Sequence, residues 1–115
     1  MRVYSTVCSS PTRGNGFCDL TDEVHTAILD AGVRDGRVSV FSTDVGCAVF
    51  LNENESGLRA DLERTFARLE GGALAGSASV VVPVVDGEPW LGDWQRVMAF
   101  GRAVDGRFVI QVSGA

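Results

Sequence analysis

Ser79-Val80-Val81-Val82-Pro83-Val84-Val85-Asp86-Gly87-Glu88-Pro89-Trp90-Leu91 is the stretch on which the fold class turns. Ser79 to Val85 is β-branched and apolar, which suits a buried strand. Asp86-Gly87 is a pair that tolerates positive φ, as a tight hairpin turn requires, and Trp90-Leu91 resumes extension. Downstream, Trp94, Arg96, Met98 and Phe100 alternate with Gln95, Val97 and Ala99. This period of two predicts a strand, with Trp94 in the core. Asp105-Gly106 gives a second hairpin signal, and Phe108, Ile110 and Val112 complete a last strand.

Upstream the period lengthens. Val3-Tyr4-Ser5-Thr6-Val7-Cys8 reads as a first strand, Ser9 to Gly16 as a loop, and Phe17 to Leu20 as a short strand. Val24, Ala27, Ile28 and Ala31 recur at helical spacing. Asp19 or Thr21 can cap that helix, Asp22 and Glu23 suit its positive end, and Gly32 fits its left-handed stop with Val33 after it. Val38 to Phe41 and Gly46 to Leu51 read as two more strands, close enough in sequence to form a hairpin. Leu58, Leu62, Phe66 and Leu69 predict a second helix, with Arg59–Glu63 and Asp61–Arg64 pairs on its outer face and Gly71-Gly72 at its end. The expected fold is α+β: mostly antiparallel, layered β-sheets with two packed helices, as one domain over residues 1–115.

The 115 residues suffice for one core. Apolar residues make up 45%, which argues against disorder. The net charge of -5, with no basic stripe, argues against a nucleic-acid partner. No apolar run reaches the ~20 residues of a membrane span, and Met1 to Ser5 opens no secretion signal. Cytoplasm is the expected location. Cys8, Cys18 and Cys47 are odd in number and widely spaced, so they read as small apolar residues and not as a disulfide or zinc framework.

Three polar clusters remain as site candidates. At Asn52-Glu53-Asn54-Glu55, helix capping by Asn54 or Ser56, with Glu55 at the dipole, leaves Asn52 and Glu53 unexplained. In Gly92-Asp93-Trp94-Gln95, alternation would place Asp93 and Gln95 on one strand face beside Trp94. In Thr43-Asp44-Val45-Gly46, turn chemistry accounts for Asp44. His25 is the sole histidine, read as a half-exposed helix residue, and one histidine cannot build a multi-histidine metal site.

These segments together resemble the YjbQ-like family. Phe17 to Val24 is similar to that family's F-V-D-I-T-D-E-V. Asn52 to Glu55 with Asp61-Leu62-Glu63 resembles its N-E-N-E…D-L-E. Ser79 to Pro83, Asp86-Gly87 and Leu91 to Val97 resemble its S-x-x-I-P…D-G…L-G-T-W-Q-x-I, and Val109 to Val112 matches too. The resemblance implies layered antiparallel sheets, a homotrimer and, for some members, secondary thiamine-phosphate synthase activity. It also implies a His-Thr-Thr after the second core strand and a His-rich stretch after the second helix. Here those positions hold Asp44, Val45 and Gly46, and the Gly-, Ala- and Ser-rich Glu70 to Ala78, while Asp93 replaces the signature threonine.

The expectation is therefore a shortened homologue without the histidine site. It would be a non-catalytic or altered trimeric binder of a small anionic ligand, or a partner of a full-length homologue. No cofactor and no metal are expected, with Asp44, Glu53 and Asp93 as the remaining oxygens for a hard cation. Asn52, Asn54, Trp94, Gln95 and Arg96 are the expected ligand contacts. If catalysis of the synthase type survived, Asn52, Glu53, Asp93 and Gln95 would carry it, with Arg96 and Arg13 as the cations for a leaving pyrophosphate.

Overall fold

A computed structural model describes residues 1–9, 14–44, 46–67, 78–103 and 107–115. Among the described residues, eight strands and two helices follow in the order β1 Arg2–Ser9, β2 Gly14–Asp19, α1 Thr21–Ala31, β3 Gly36–Ser42, β4 Cys47–Asn52, α2 Ser56–Ala67, β5 Ser79–Val85, β6 Glu88–Pro89, β7 Arg96–Ala103 and β8 Arg107–Gly114. They form a five-stranded sheet, β1-β8-β3-β5-β6, and a three-stranded sheet, β2-β7-β4. Every strand pairing among the described residues is antiparallel, and the α+β class stands.

The core lies where α1 and the inner faces of the two sheets meet. α1 contributes Val24, Ala27, Ile28 and Ala31. The five-stranded sheet contributes Val38, Val40, Val82, Val84, Phe108, Ile110 and Val112, and the three-stranded sheet Cys18, Val49, Val97 and Ala99. α1 ends as its sequence dictates. Gly32 takes φ 67, its N–H reaches the carbonyls of Ile28 and Leu29, and Val33 is buried behind it. Asp86 (φ 53) and Gly87 (φ 79) turn β5 into β6, both with the positive φ expected of Asp-Gly.

Several elements differ from the local sequence expectation. β3 and β4 belong to different sheets, so no hairpin joins them. The buried Ser42 ends β3 instead: its Oγ donates to the Asp44 carbonyl and accepts from the Asp44 N–H, both at 3.2 Å. β7 and β8 also part into different sheets, and the Asp105-Gly106 signal between them lies outside the described residues. β2 starts at Gly14, inside the stretch read as loop. Trp94 is not a core residue: it sits in a turn ahead of β7 and is 76% exposed.

On α2, Asp61 and Arg64 pair as expected. Leu58 is half-buried, and no described α2 side chain is fully buried. Leu69 and Gly71-Gly72 lie outside the described residues.

Candidate functional site

The polar residues collect at one end of the three-stranded sheet. Register pairs Asp19 with Met98 and Asn52 with Arg96 across β2-β7-β4. Strand alternation therefore puts Asp19, Arg96 and Asn52 on the same face as Phe17, Phe50 and Phe100. The Phe17 and Phe100 rings lie 4.5 Å apart, and Phe17 meets Phe50 edge-on at 6.2 Å. A largely buried aromatic cluster, with Phe100 buried and Phe17 and Phe50 half-buried, thus adjoins a polar end.

Asp19 is the hub of that end. Its Oδ2 accepts from Arg96 Nε and from Asn54 Nδ2, each at 2.8 Å, and its Oδ1 accepts from the Thr21 N–H at 3.0 Å. Three segments distant in sequence are tied by one carboxylate. Burial by itself would raise the Asp19 carboxyl, but the hydrogen bonds from Arg96, Thr21 and Asn54 outweigh it and hold the group below its ordinary value. The same contact raises the Arg96 pKa further, with help from the charge of Asp22 at 3.9 Å. Thr21 and Leu20 complete the junction: Thr21 Oγ1 accepts from the Val97 N–H at 2.9 Å, and the Leu20 N–H donates to the Val97 carbonyl at 2.8 Å.

The expected site residues separate on this geometry. Asn54 does not cap α2; its amide goes to Asp19. Glu55 takes the capping role, with Oε1 accepting from Gly57 N and Oε2 from Leu58 N, both at 2.8 Å. Ser56 donates its hydroxyl to Glu55 and caps nothing. Asn52 Oδ1 accepts from the Glu53 N–H at 2.8 Å, and Glu53 is exposed.

Gln95 does not share a strand face with Asp93. Its Oε1 accepts from Gly92 N at 2.8 Å while its own N–H returns to the Gly92 carbonyl at 3.0 Å. That reciprocal pair closes a turn which leaves Asp93 and Trp94 exposed at its tip. Arg13 lies outside the described residues. Local sequence marks Asp19 only as a helix-start residue; its meeting with Arg96 follows from long-range pairing of β2 with β7, which has no local signature.

Asp44, Glu53 and Asp93 do not converge within one subunit. Asp44 precedes β4 and Glu53 follows it, and the strand between them spans about 17 Å at the usual rise. Asp93 lies at the Glu53 end, ahead of Arg96. Among the described residues, no three His, Cys, Asp or Glu side chains gather as a metal set. His25 is exposed on α1. All three cysteines are thiols: Cys18 and Cys47 are buried and Cys8 is half-buried. Burial and the charge of Asp44 raise the Cys47 thiol against a hydrogen bond with Ser42.

The profile of the UPF0047 protein YjbQ-like family matches residues 5–71, more than half of the chain. The chain belongs to the YjbQ-like family. A UPF0047 protein of Methanothermobacter thermautotrophicus is 31% identical over 120 aligned positions, covering 84% of this chain and 81% of its own. Those positions outnumber the 115 residues here, so that YjbQ-like relative carries residues with no counterpart in this chain. A UPF0047 protein of Archaeoglobus fulgidus is 33% identical over 99 positions, 70% of this chain and 75% of its own. A YbjQ-like protein of unknown function from Sulfolobus solfataricus P2 shares the fold at a TM-score of 0.84, with 24% identity over 99% of both chains.

Proposed function

We propose that this YjbQ-like chain is a divergent, shortened member without the family's histidine chemistry, acting as a non-catalytic or altered small-ligand-binding homotrimer in the cytoplasm. The observation that carries this reading is the Asp19 brace. Asn54 and Arg96, two of the groups that would otherwise meet a ligand or leaving group, bond Asp19. Gln95 closes its own turn in the same inward manner. A carboxylate held ionised by three donors, with its pKa below the ordinary range, is a poor general base near neutral pH.

The sole histidine supports the same reading, since it sits exposed on α1 and not at the β4–β7 end. The longer archaeal relative is consistent with a shortened chain. The ligand expected at the Asn52–Arg96 end is a small anion. It would pair with the outer edge of the Arg96 guanidinium, in competition with Asp22.

Self-association is supported by the outer face of the five-stranded sheet. Val3, Val7, Phe41, Val81 and Val85 are all exposed there, and such a face is normally covered by a partner. Light scattering should give three subunits. Co-purification with a longer homologue would replace the homotrimer by a mixed assembly. Among the described residues, no helix is long and apolar enough to cross a membrane.

The deciding assay supplies purified protein with a pyrimidine pyrophosphate and a thiazole phosphate. No thiamine phosphate above the uncatalysed background is expected. Turnover lost on changing Asn52, Glu53, Asp93 or Gln95 would establish an enzyme of the secondary thiamine-phosphate synthase type instead.

A further inference from the structure

β1 closes one side of the five-stranded sheet and, among the described residues, pairs with β8 alone. The ladder fixes which of its backbone groups are used. Asp35 and Ala115 exchange both backbone bonds, at 3.1 and 2.9 Å, and the Thr43 N–H donates to the Arg107 carbonyl at 3.3 Å. Antiparallel alternation therefore turns the odd-numbered residues of β8 toward β3 and the even-numbered ones toward β1. Their partners on β1 are Arg2, Tyr4, Thr6 and Cys8. The N–H and C=O groups of Val3, Ser5 and Val7 then point away from the sheet. The pairing with β8 runs from Arg2 to Ser9 without a bulge, and no proline or charged residue interrupts Val3 to Ser9. Such an edge lacks the usual devices against strand addition.

α1 lies along this edge. Its start, at Asp22, shares a cleft of about 220 Å³ with Cys8, and its end meets Arg2, whose Nη1 donates to the Gly32 carbonyl at 3.2 Å. Asp22, Thr26 and Asp30 line that cleft and are exposed. They follow at i, i+4 and i+8, about 6 Å apart along the helix. Alternate residues of a strand repeat at about 6.7 Å, so one face of a strand added to β1 would run beneath this stripe. Its other face would extend the exposed Val3 and Val7. We propose that the β1 edge accepts, as an added antiparallel strand, an extended segment of a partner protein in which apolar and cationic residues alternate. Backbone bonds to Val3, Ser5 and Val7 hold it, its apolar residues continue the valine row, and its cations face Asp22 and Asp30. A second copy of this chain fits poorly, because two β1 edges joined about a two-fold axis bring their carboxylate stripes face to face. The net charge of -5 also suits a cationic partner.

The test is amide hydrogen exchange, read by NMR on the full chain, with a capped peptide in which valine and lysine alternate over the length of β1. Exchange at the Val3, Ser5 and Val7 amides should slow by about tenfold or more at saturation. Two control peptides separate the parts of the interaction. Glutamate in place of lysine removes the charge match, and N-methylation of the valines removes the donors that face β1. Neither control should protect these amides. Asp30→Asn should weaken the lysine peptide by about threefold with the fold unchanged. Ser5→Pro should still fold, because the Ser5 N–H serves no pair with β8, and should abolish protection at Val3 and Val7. If Ser5→Pro does not fold, the N-methylated peptide on the unaltered protein decides. Shifts scattered over the acidic surface, without protection at these amides, would overturn the proposal. So would equal protection by the glutamate peptide. Protection already present without peptide, and growing with protein concentration, would give the edge to a second copy and overturn it as well.

Discussion

Helices α1 and α2 are nearly equal in length, 11 residues against 12, and each starts beside a carboxylate. They use that start differently. Asp19, ahead of α1, takes one helix N–H and turns its second oxygen to Arg96 and Asn54. Glu55, ahead of α2, spends both oxygens on the helix backbone. α1 then buries Val24, Ala27, Ile28 and Ala31 between the sheets, whereas α2 has Leu58 and Ala60 half-buried and exposes Asp61 and Arg64. α1 is thus part of the core, while α2 is tied at its start by Glu55 and, through Asn54, to Asp19. Tertiary burial stabilises α1, and the Glu55 carboxylate satisfies the first N–H groups of α2.

The sharpest way to break that contrast is truncation in each helix. Ile28→Ala should cost about 3 kcal/mol of unfolding free energy in urea, from lost burial and a cavity. Leu58→Ala, half-buried, should cost about 1 kcal/mol. Equal losses would erase the distinction.

Asp19→Asn comes next, at about 1–2 kcal/mol near pH 7, because a partly buried, charge-assisted cluster loses its anion. Its pH dependence has a definite sign. The folded pKa lies below the unfolded value of about 3.9, so the contribution is complete above that pH and vanishes as pH falls through the folded pKa. The gap between the unaltered protein and Asp19→Asn should therefore close only below about pH 4. A gap that stays constant down to pH 2 would show that Asp19 acts by shape and not by charge.

Glu55→Gln should cost least, about 0.5 kcal/mol in chemical denaturation, and less at high salt, since its cap is exposed. Thiol chemistry sharpens the picture at the core edge. Alkylation of Cys8 should be slow at pH 8 and accelerate as pH approaches about 11, where the thiolate forms. Fast labelling at pH 7 would mean that β1 does not hold Cys8 against α1.

Much of α1 was legible in the sequence, because its apolar spacing, its Gly32 stop and its acidic first turn are all local. The Asp86-Gly87 turn was legible for the same reason. The division into two sheets was not. Short spacings between β3 and β4 and between β7 and β8 suggest hairpins, yet the strands of each pair lie in different sheets, and local residues do not record that choice. Trp94 was misplaced because its alternation with Arg96 and Met98 extends past the true start of β7. The Gln95 side chain closes a turn there before any strand begins. Half of Asp19's bonding is local, to the Thr21 N–H at the helix start, where Leu20 and not Asp19 holds the cap position. The other half depends on Arg96, 77 residues away, and emerges only when β2 pairs with β7.

A double-mutant cycle on Asp19 and Arg96 tests the bracing role most directly. Asp19→Ala, Arg96→Ala and the pair are compared by urea unfolding at pH 7. A coupling energy of about 1 kcal/mol, reduced from the buried limit because Arg96 is partly exposed, is the predicted result. Coupling indistinguishable from zero, with both single variants as stable as the unaltered protein, would contradict the account and return Arg96 to the pool of groups available for chemistry.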